Sequence, residues 1–387
     1  MSAPAHPLTL ALGGLIALVA AMGIGRFVYT PILPLMVEAL GLTRGQAGLI
    51  ASANFAGYLS GALLAATPLL PGSRRAWLLT ALTMSALTTG AMTCVSSIAA
   101  FLALRFIGGV ASAFVMVFAS ALVLDSLSVA NRADLAAVHF AGVGTGIAVS
   151  AVVVASLVAC GYGWRALWLA SGLAALLAVV VVSRLVPDRA EPLTPPIANP
   201  AQSDRAFTAL VIAYGLFGFG YVITATFLVA IVRVSAAARA LEPLIWLVVG
   251  LTAAPSVALW GWAGRRIGVT RAFALACVLE ALGVAASVLW LAPPGMILAA
   301  ALLGGTFMGL TALGLVQARH LSQGDPRRTL AVITAAFGFG QIVGPAFAGI
   351  VYDATGSFLL PSLTAVGALL VAACLSASPL RGLRAGT

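Results

Sequence analysis

The stretch Met22-Gly23-Ile24-Gly25-Arg26-Phe27-Val28-Tyr29-Thr30-Pro31 lies inside a long apolar run from about Leu8 to Met36. A run of that length crosses a bilayer, so Arg26 falls within a membrane-spanning helix. On insertion scales a central arginine costs about 2.5–3.5 kcal/mol. The glycines admit a close neighbour, and Pro31 and Pro34 can bend the helix or release backbone carbonyls. A charge in that setting faces a cavity, a partner or a ligand, and the rest of the chain reads as the housing around it.

Of the 387 residues, 62% are hydrophobic and only 8% charged, with a mean hydropathy of +1.12. Soluble domains carry roughly 25% charged residues, so most of this surface must face lipid. The apolar runs are helix length and contain Gly and Pro, whereas outer-membrane strands would alternate over about ten residues. The class is an all-α polytopic membrane protein. The formal charge is +10, and all 20 basic residues are Arg. They fall in short loops between apolar runs, which topology explains better than a nucleic-acid partner. Cys94, Cys160, Cys277 and Cys374 form no Cys-x-x-Cys pair, so neither a metal site nor a disulfide framework is expected, and no cofactor is implied. The N-terminus lacks a basic region and a cleavage site and reads as the start of the first helix.

Windows of about 20 apolar residues give twelve transmembrane helices near 8–36, 45–69, 76–95, 98–124, 135–159, 165–186, 206–232, 241–263, 270–291, 295–318, 328–352 and 357–378. With the N-terminus in the cytoplasm, fourteen arginines fall on the cytoplasmic side and four (Arg44, Arg165, Arg233, Arg239) on the external side. Arg26 and Arg105 lie within spans. This bias predicts an inner (plasma) membrane protein with an even number of spans and both termini cytoplasmic. The polar stretch from Pro187 to Arg205, with four prolines between, reads as an extended linker. It divides the chain into a six-helix half over 1–186, a cytoplasmic linker over 187–205 and a second six-helix half over 206–387. No loop is long enough for a folded soluble domain.

The halves resemble each other at a nearly constant offset. Gly23-Ile-Gly25 matches Gly218-Phe-Gly220, Gly108-Gly109 matches Gly304-Gly305, Gly142-Val-Gly144 matches Gly338-Phe-Gly340, and Arg74-Arg75 matches Arg265-Arg266. Matches in sequence order argue for a duplicated six-helix unit. An even number of spans per unit gives both halves one orientation, with a substrate site at their interface near the midplane.

At this point the sequence resembles the major facilitator superfamily over nearly its whole length. Trp260-Gly-Trp-Ala-Gly264-Arg265-Arg266-Ile-Gly268 resembles the family's Gly/Arg-Arg loop, and its counterpart Pro71-Gly-Ser-Arg74-Arg75 lacks the usual acidic residue. Arg105-Phe-Ile-Gly108-Gly109 resembles the helix-4 motif. Gly340-Gln341-Ile-Val-Gly344-Pro345 resembles an antiporter motif, displaced here to the eleventh helix. Gly25-Arg26-Phe-Val-Tyr29-Thr-Pro31 and Tyr214-Gly-Leu-Phe-Gly-Phe-Gly-Tyr221 look like the YbfB-type branch. The resemblance implies a twelve-helix transporter whose helices 1, 4, 7 and 10 line a central cavity, with 3, 6, 9 and 12 outside.

That architecture ranks the polar residues. Arg26 and Arg105 stand at similar depth on cavity-lining helices with no acidic residue near them on those helices. A substrate carboxylate or phosphate would complete the pair; alternatively each Arg bonds helix carbonyls opened by the nearby Gly and Pro. Tyr29, at i+3 from Arg26, shares its helix face. Asn54 and Tyr58 on helix 2, Tyr214 and Tyr221 on helix 7, and Gln341 complete the candidate wall, with packing or interface roles as the plain alternative. Glu280, His139 and Asp125 are candidates for proton coupling. Against that role, helix 9 is peripheral, Asp125 suits a gate or loop ion pair, and His139 suits a solvated helix end. Arg74, Arg75, Arg265 and Arg266 belong to the gating loops. Gly142-x-x-x-Gly146 and Gly340-x-x-x-Gly344 allow close contact of helices that would bend or rock between the halves.

The sequence therefore predicts a monomeric secondary active transporter of a small anionic or amphipathic organic solute, working by alternating access with H⁺ as the co-ion. A drug exporter for apolar or cationic compounds and a non-transporting membrane sensor are the alternatives. A membrane enzyme would need a nucleophile–base pair or a metal cluster at one depth, and His6, His139 and His320 lie at helix ends or in loops.

Overall fold

A computed structural model describes residues 6–67, 70–187, 205–321 and 326–377. Among these the chain is helical, in twelve rods: α1 Pro7–Leu40, α2 Arg44–Ala65, α3 Arg74–Ala91, α4 Ile98–Val129, α5 Ala136–Ala159, α6 Trp164–Leu185, α7 Arg205–Val234, α8 Glu242–Ile267, α9 Val269–Leu289, α10 Pro293–Leu321, α11 Pro326–Thr355 and α12 Leu359–Ala377. Eleven are long and apolar enough to span a membrane on their own account. The twelfth, α3, is diluted by Thr and Ser and packs on α4 and α6. The expected connection over 187–205 lies outside the described residues except at its two ends.

The helices form two halves with matching neighbours. In the first, α1 packs on α5, α2 on α4, and α3 on α4 and α6; in the second, α7 packs on α11, α8 on α10, and α9 on α10 and α12. The halves meet along a seam in which α2 lies on α11, α5 on α8, and α1 on α7. Exposed Leu and Val side chains stud the outer faces of α6, α9 and α12, as lipid-facing helices require.

Glycines set the closest approaches, and here the structure refines the repeat. Gly142 sits against the Leu15 carbonyl of α1, and Gly340 against the Gly215 carbonyl of α7; Gly146 and Gly344 continue the same contacts one turn on. The structural equivalent of Gly142 is thus Gly340 rather than Gly338, two residues away from the sequence match. Both Gly-x-x-x-Gly stripes pack within their own half. The seam uses other glycines: a Cβ on Gly144 would lie 2.2 Å from the Ala254 nitrogen, and one on Gly48 would lie 2.1 Å from the Pro345 carbonyl oxygen.

Helix α1 is not regular. Its first half runs to Leu18, a π-helical segment follows over Val19–Ile24, and residues 25–28 form turns before the helix resumes at Tyr29. The Gly25 and Phe27 N–H groups reach back five residues, to Ala20 and Met22, while Thr30 N–H turns to the Phe27 carbonyl. Pro31 and Pro34 supply no N–H. The break leaves backbone carbonyls without helical partners in the middle of the span, which some other donor must satisfy.

Candidate functional site

Arg105 is that donor. It lies on α4, is 5% exposed, and sends Nη1 to the Gly25 carbonyl and Nη2 to the Arg26 carbonyl, both at 3.0 Å. The planar fork of a guanidinium suits two adjacent carbonyls in a way that a lysine cannot match. Its own carbonyl accepts the side-chain amide of Asn54 on α2 at 2.9 Å. The Tyr29 ring lies 5.0 Å from its Cζ, and the Tyr29 hydroxyl donates to the Ala47 carbonyl at 2.8 Å. Sequence spacing puts Tyr29 on the face of Arg26; the turn at 25–28 breaks that register, and Tyr29 meets Arg105 instead.

Arg26, freed of backbone duty, points to the seam. It is 4% exposed. Its Nη2 donates to Gln341 Oε1 of α11 at 3.2 Å, and Gln341 in turn donates through Nε2 to the Tyr221 hydroxyl of α7. Aromatic rings enclose the guanidinium: its Cζ lies 4.1 Å from the Tyr58 centroid, 4.6 Å from Phe55 and 5.5 Å from Phe27. Such contacts are worth about 0.5–2 kcal/mol each, but none carries a formal negative charge. Among the described residues no carboxylate comes within ion-pair range of either Arg26 or Arg105; the ion pairs formed are Arg74–Asp125, Arg132–Asp134, and Arg233 with Glu38 and Glu242. The Nε of each buried arginine lacks a partner.

Behind Tyr221 runs a ladder of rings, Phe307, Tyr221, Phe337, Phe217 and Tyr214, with Tyr221 nearly parallel to Phe307 (7°) and to Phe337 (2°). Tyr214 ends it by donating to the Thr311 carbonyl at 3.0 Å.

A helical fold with this doubled set of neighbours is shared by transporters. The family model described as "Uncharacterised MFS-type transporter YbfB" matches residues 18–377. The chain belongs to this family of MFS-type transporters. No curated protein matches it by sequence. Among solved structures it is similar to a mutant of the nucleoside transporter NupG, at 15% identity and a TM-score of 0.72 over 95% of this chain and 98% of that one. It is also similar to a bacterial homologue of the human lysosomal transporter Spinster. That homologue matches in an inward-facing unoccupied form at 15% identity and a TM-score of 0.68, and in an inward-facing occupied form at 14% identity and 0.69, each over 97% of both chains. At such identities the likeness is one of fold.

Within this MFS-type transporter, cavities approach the arginine layer from both faces. On the face carrying Arg74 and Arg319, a cavity of about 840 Å³ opens among α2, α3, α4, α10 and α11 and reaches Ala62, Val117 and Thr334. On the opposite face a cleft of about 380 Å³ descends among α1, α5, α7 and α8, past Arg233, Glu242 and Trp246, to Pro31. Between them the void lined by Arg26 and Arg105 measures only about 10 Å³.

Contacts that close the opposite face cross the seam. Arg233 of α7 pairs across the seam with Glu38 of α1 at 2.8 Å and, within the second half, with Glu242 of α8 at 3.1 Å. Asp353, at the end of α11, accepts the Arg44 and Gly45 N–H groups at the start of α2, at 2.9 and 2.8 Å. Deeper, Thr30 donates to the Ala225 carbonyl (2.8 Å) and Ser52 to the Ile342 carbonyl (2.6 Å). Sequence reading missed Glu38, Asp353 and the rings of Phe55, Phe217, Phe307 and Phe337. The scarcity of acidic residues on the sparsely charged side is the one signal that could have singled out the first two.

Among the described residues, the other singled-out side chains make no hydrogen bond or ion pair to this layer. Glu280 is wholly buried between α9 and α10, where Thr306 donates to Oε2 and Oε1 has no partner. His139 does not sit at a solvated helix end: it is fully buried beside Gly14, with Nε2 at 3.0 Å from the Ser120 hydroxyl. Asp125 pairs with Arg74 at 3.0 Å within the first half. Arg75 caps the end of α6 through the Val186 and Ser183 carbonyls, at 2.7 and 2.6 Å. Arg265 and Arg266 belong to the last turn of α8 rather than a loop and are exposed, with Arg266 over the Trp262 ring at 5.8 Å.

Proposed function

We propose that this transporter moves a small anionic or amphipathic organic solute by alternating access, with Arg26 as the anion anchor. One observation carries the reading: a guanidinium buried at the seam, joined to both halves, with no acidic side chain to balance it. Buried charges are ordinarily paired, and a substrate carboxylate or phosphate is the partner an alternating-access protein would leave room for. Arg105 then holds the broken α1 in shape, so that Arg26 stays free to meet the solute. Tyr58, Tyr221 and Gln341 supply the polar and aromatic wall around it.

In this reading the arginine-rich face and both termini are cytoplasmic, as the positive-inside rule favours. The larger cavity then opens inward and the Arg233–Glu38 side is shut. The linker over 187–205 joins two six-helix halves that rock about the seam. The co-ion is H⁺, and Glu280 and His139 are its candidate carriers, each buried and each with an unpartnered atom. A second reading, export of apolar or cationic compounds, draws support from the ladder of rings between Phe307 and Tyr214.

Thermal unfolding of the purified protein with carboxylates, phosphates and cationic drugs, on wild type and Arg26→Leu, separates the two readings. A ligand at 100 times its dissociation constant stabilises by about 2.7 kcal/mol. An anion that stabilises wild type but not a folded Arg26→Leu is the expected result. Equal stabilisation of both proteins by cations or neutral compounds would overturn it.

A further inference from the structure

The cleft on the Arg233–Glu38 side is a formed cavity that the arginine layer leaves unused. Its volume of about 380 Å³ falls within the range of small-molecule pockets, about 300–1,000 Å³. Leu35 of α1 with Val154 and Val158 of α5 form one wall, and Val229 of α7 with Trp246 of α8 form the other. Side-chain size explains why it is there. Deeper in the membrane α5 and α8 touch through their backbones: a Cβ added to Gly144 would strike the Ala254 nitrogen, and one added to Gly250 would strike the Ala148 nitrogen. Beyond that crossing Val154, Val158 and Trp246 take the place of the glycines, and the cleft lies between the two helices. It ends short of Arg26, because Thr30 and Ala225, bonded to each other across the seam, border the arginine void and not the cleft. The lining carries two guanidiniums, Arg233 and Arg239, against one carboxylate, Glu242. Glu242 and Glu38 both serve Arg233. Arg239 is exposed and, among the described residues, forms no ion pair.

We propose that this cleft is a second binding site, which takes one amphipathic organic carboxylate while the Arg233–Glu38 face is shut. The apolar body lies between the Val154 and Trp246 walls, and the carboxylate meets Arg239 at the mouth. The order of polarity is the reverse of that at Arg26, where the charge is deepest. This rests on the reading of the solute as an amphipathic anion and adds a separate site for the same class. Both halves wall the cleft, so an occupant that touches both walls favours the closed face over the open one. Solute on that side then holds the face shut.

The test uses 4-benzoylbenzoate, a carboxylate on an apolar benzophenone that attaches to neighbouring C–H bonds when illuminated, with 4-methylbenzophenone as its uncharged analogue. The purified protein is illuminated with each, and the adducts are located by mass spectrometry. The expected result is saturable labelling of α5 over 154–158 and of α8 around Trp246. Half-saturation by the carboxylate should come at a concentration about two- to fivefold lower than by the analogue, the usual worth of an exposed ion pair. Arg239→Gln should remove that difference, and Ala155→Phe, which fills the cleft from the α5 wall, should abolish the labelling. If Ala155→Phe fails to fold, Val158→Phe near the exposed end of α5 serves instead. No adduct in the cleft of wild type, equal half-saturation by the two probes, or undiminished labelling in a folded cleft-filling variant overturns the proposal. Failure of the Arg26 reading looks different: the cleft would label as described, yet no adduct near Phe55 and Tyr58 would depend on Arg26.

Discussion

Arg26 Nη2 and Gln341 Oε1 lie 3.2 Å apart across the seam between the two halves, and any opening of that seam must part them. The pair joins a cation to a neutral amide, so it holds weakly enough to be broken and remade. Replacing the amide by a carboxylate changes this. Gln341→Glu converts the contact into a buried ion pair and fills the position the solute's anion would take. The expected outcome is a raised Tm, loss of anion binding by more than about tenfold, and slowed flux in proteoliposomes. Unchanged anion affinity would show that the solute binds elsewhere.

Arg105 carries a different burden. Its truncation leaves the Gly25 and Arg26 carbonyls unsatisfied in the middle of the membrane, at about 1–3 kcal/mol each. Arg105→Leu is therefore expected to lower stability by about 2–6 kcal/mol, and Arg105→Lys to recover only part of it, because an ammonium lacks the fork. Unfolding in increasing denaturing detergent would measure both. A stable, fully folded Arg105→Leu would mean that the break in α1 is held by other contacts.

How far the sequence led depends on which forces acted. The twelve helices were legible because hydropathy and length decide them, and α3 was readable as a span despite its Thr and Ser. The exceptional status of Arg26 was legible because a charge in an apolar run has few explanations. The division of labour between the two arginines was not. It depends on the π-helical segment and the turn at 25–28, which arise from Gly25, Pro31 and the packing of Gly23 on Gly146, and no periodicity reports such a break. The same break moved Tyr29 from Arg26 to Arg105. His139 reads as a helix-end residue, but Gly14 leaves room for the imidazole to be buried, a tertiary fact.

Asp353 offers a test of which face is shut. Its carboxylate accepts two N–H groups at the start of α2, where the helix dipole favours an anion. Loss of those bonds costs about 1–3 kcal/mol, felt only when the faces are together. Asp353→Ala should shift the population toward opening on that side. In a variant without native cysteines, Leu35→Cys in the cleft beside Pro31 should react faster with an impermeant maleimide once Asp353 is replaced. An unchanged rate would show that Asp353 caps α2 without latching the halves.

Glu280 tests the co-ion. It sits in the second half, bonded to Thr306, so Glu280→Gln preserves its shape and one acceptor. The expected outcome is intact anion binding and intact solute exchange, with loss of uptake driven by a pH gradient. If gradient-driven uptake survives, the proton moves through other groups, and the corresponding substitution at His139 is the next measurement.

The glycines of the seam separate packing within a half from motion between halves. At Gly48 an added Cβ meets the Pro345 carbonyl oxygen at 2.1 Å, and at Gly349 it meets the Arg44 carbonyl oxygen at 2.2 Å. Both obstacles are backbone atoms of the other half and cannot rotate away. Gly48→Ala therefore forces α2 from α11 and should destabilise the closed seam by about 1–3 kcal/mol. Gly305, with nothing within 4 Å of its added Cβ, is the control: Gly305→Ala should be neutral or stabilising by up to about 1 kcal/mol through helix propensity. With Leu35→Cys as reporter, Gly48→Ala should speed maleimide labelling and Gly305→Ala should not. Equal rates in the two variants would mean that the α2–α11 contact does not govern access to the cleft.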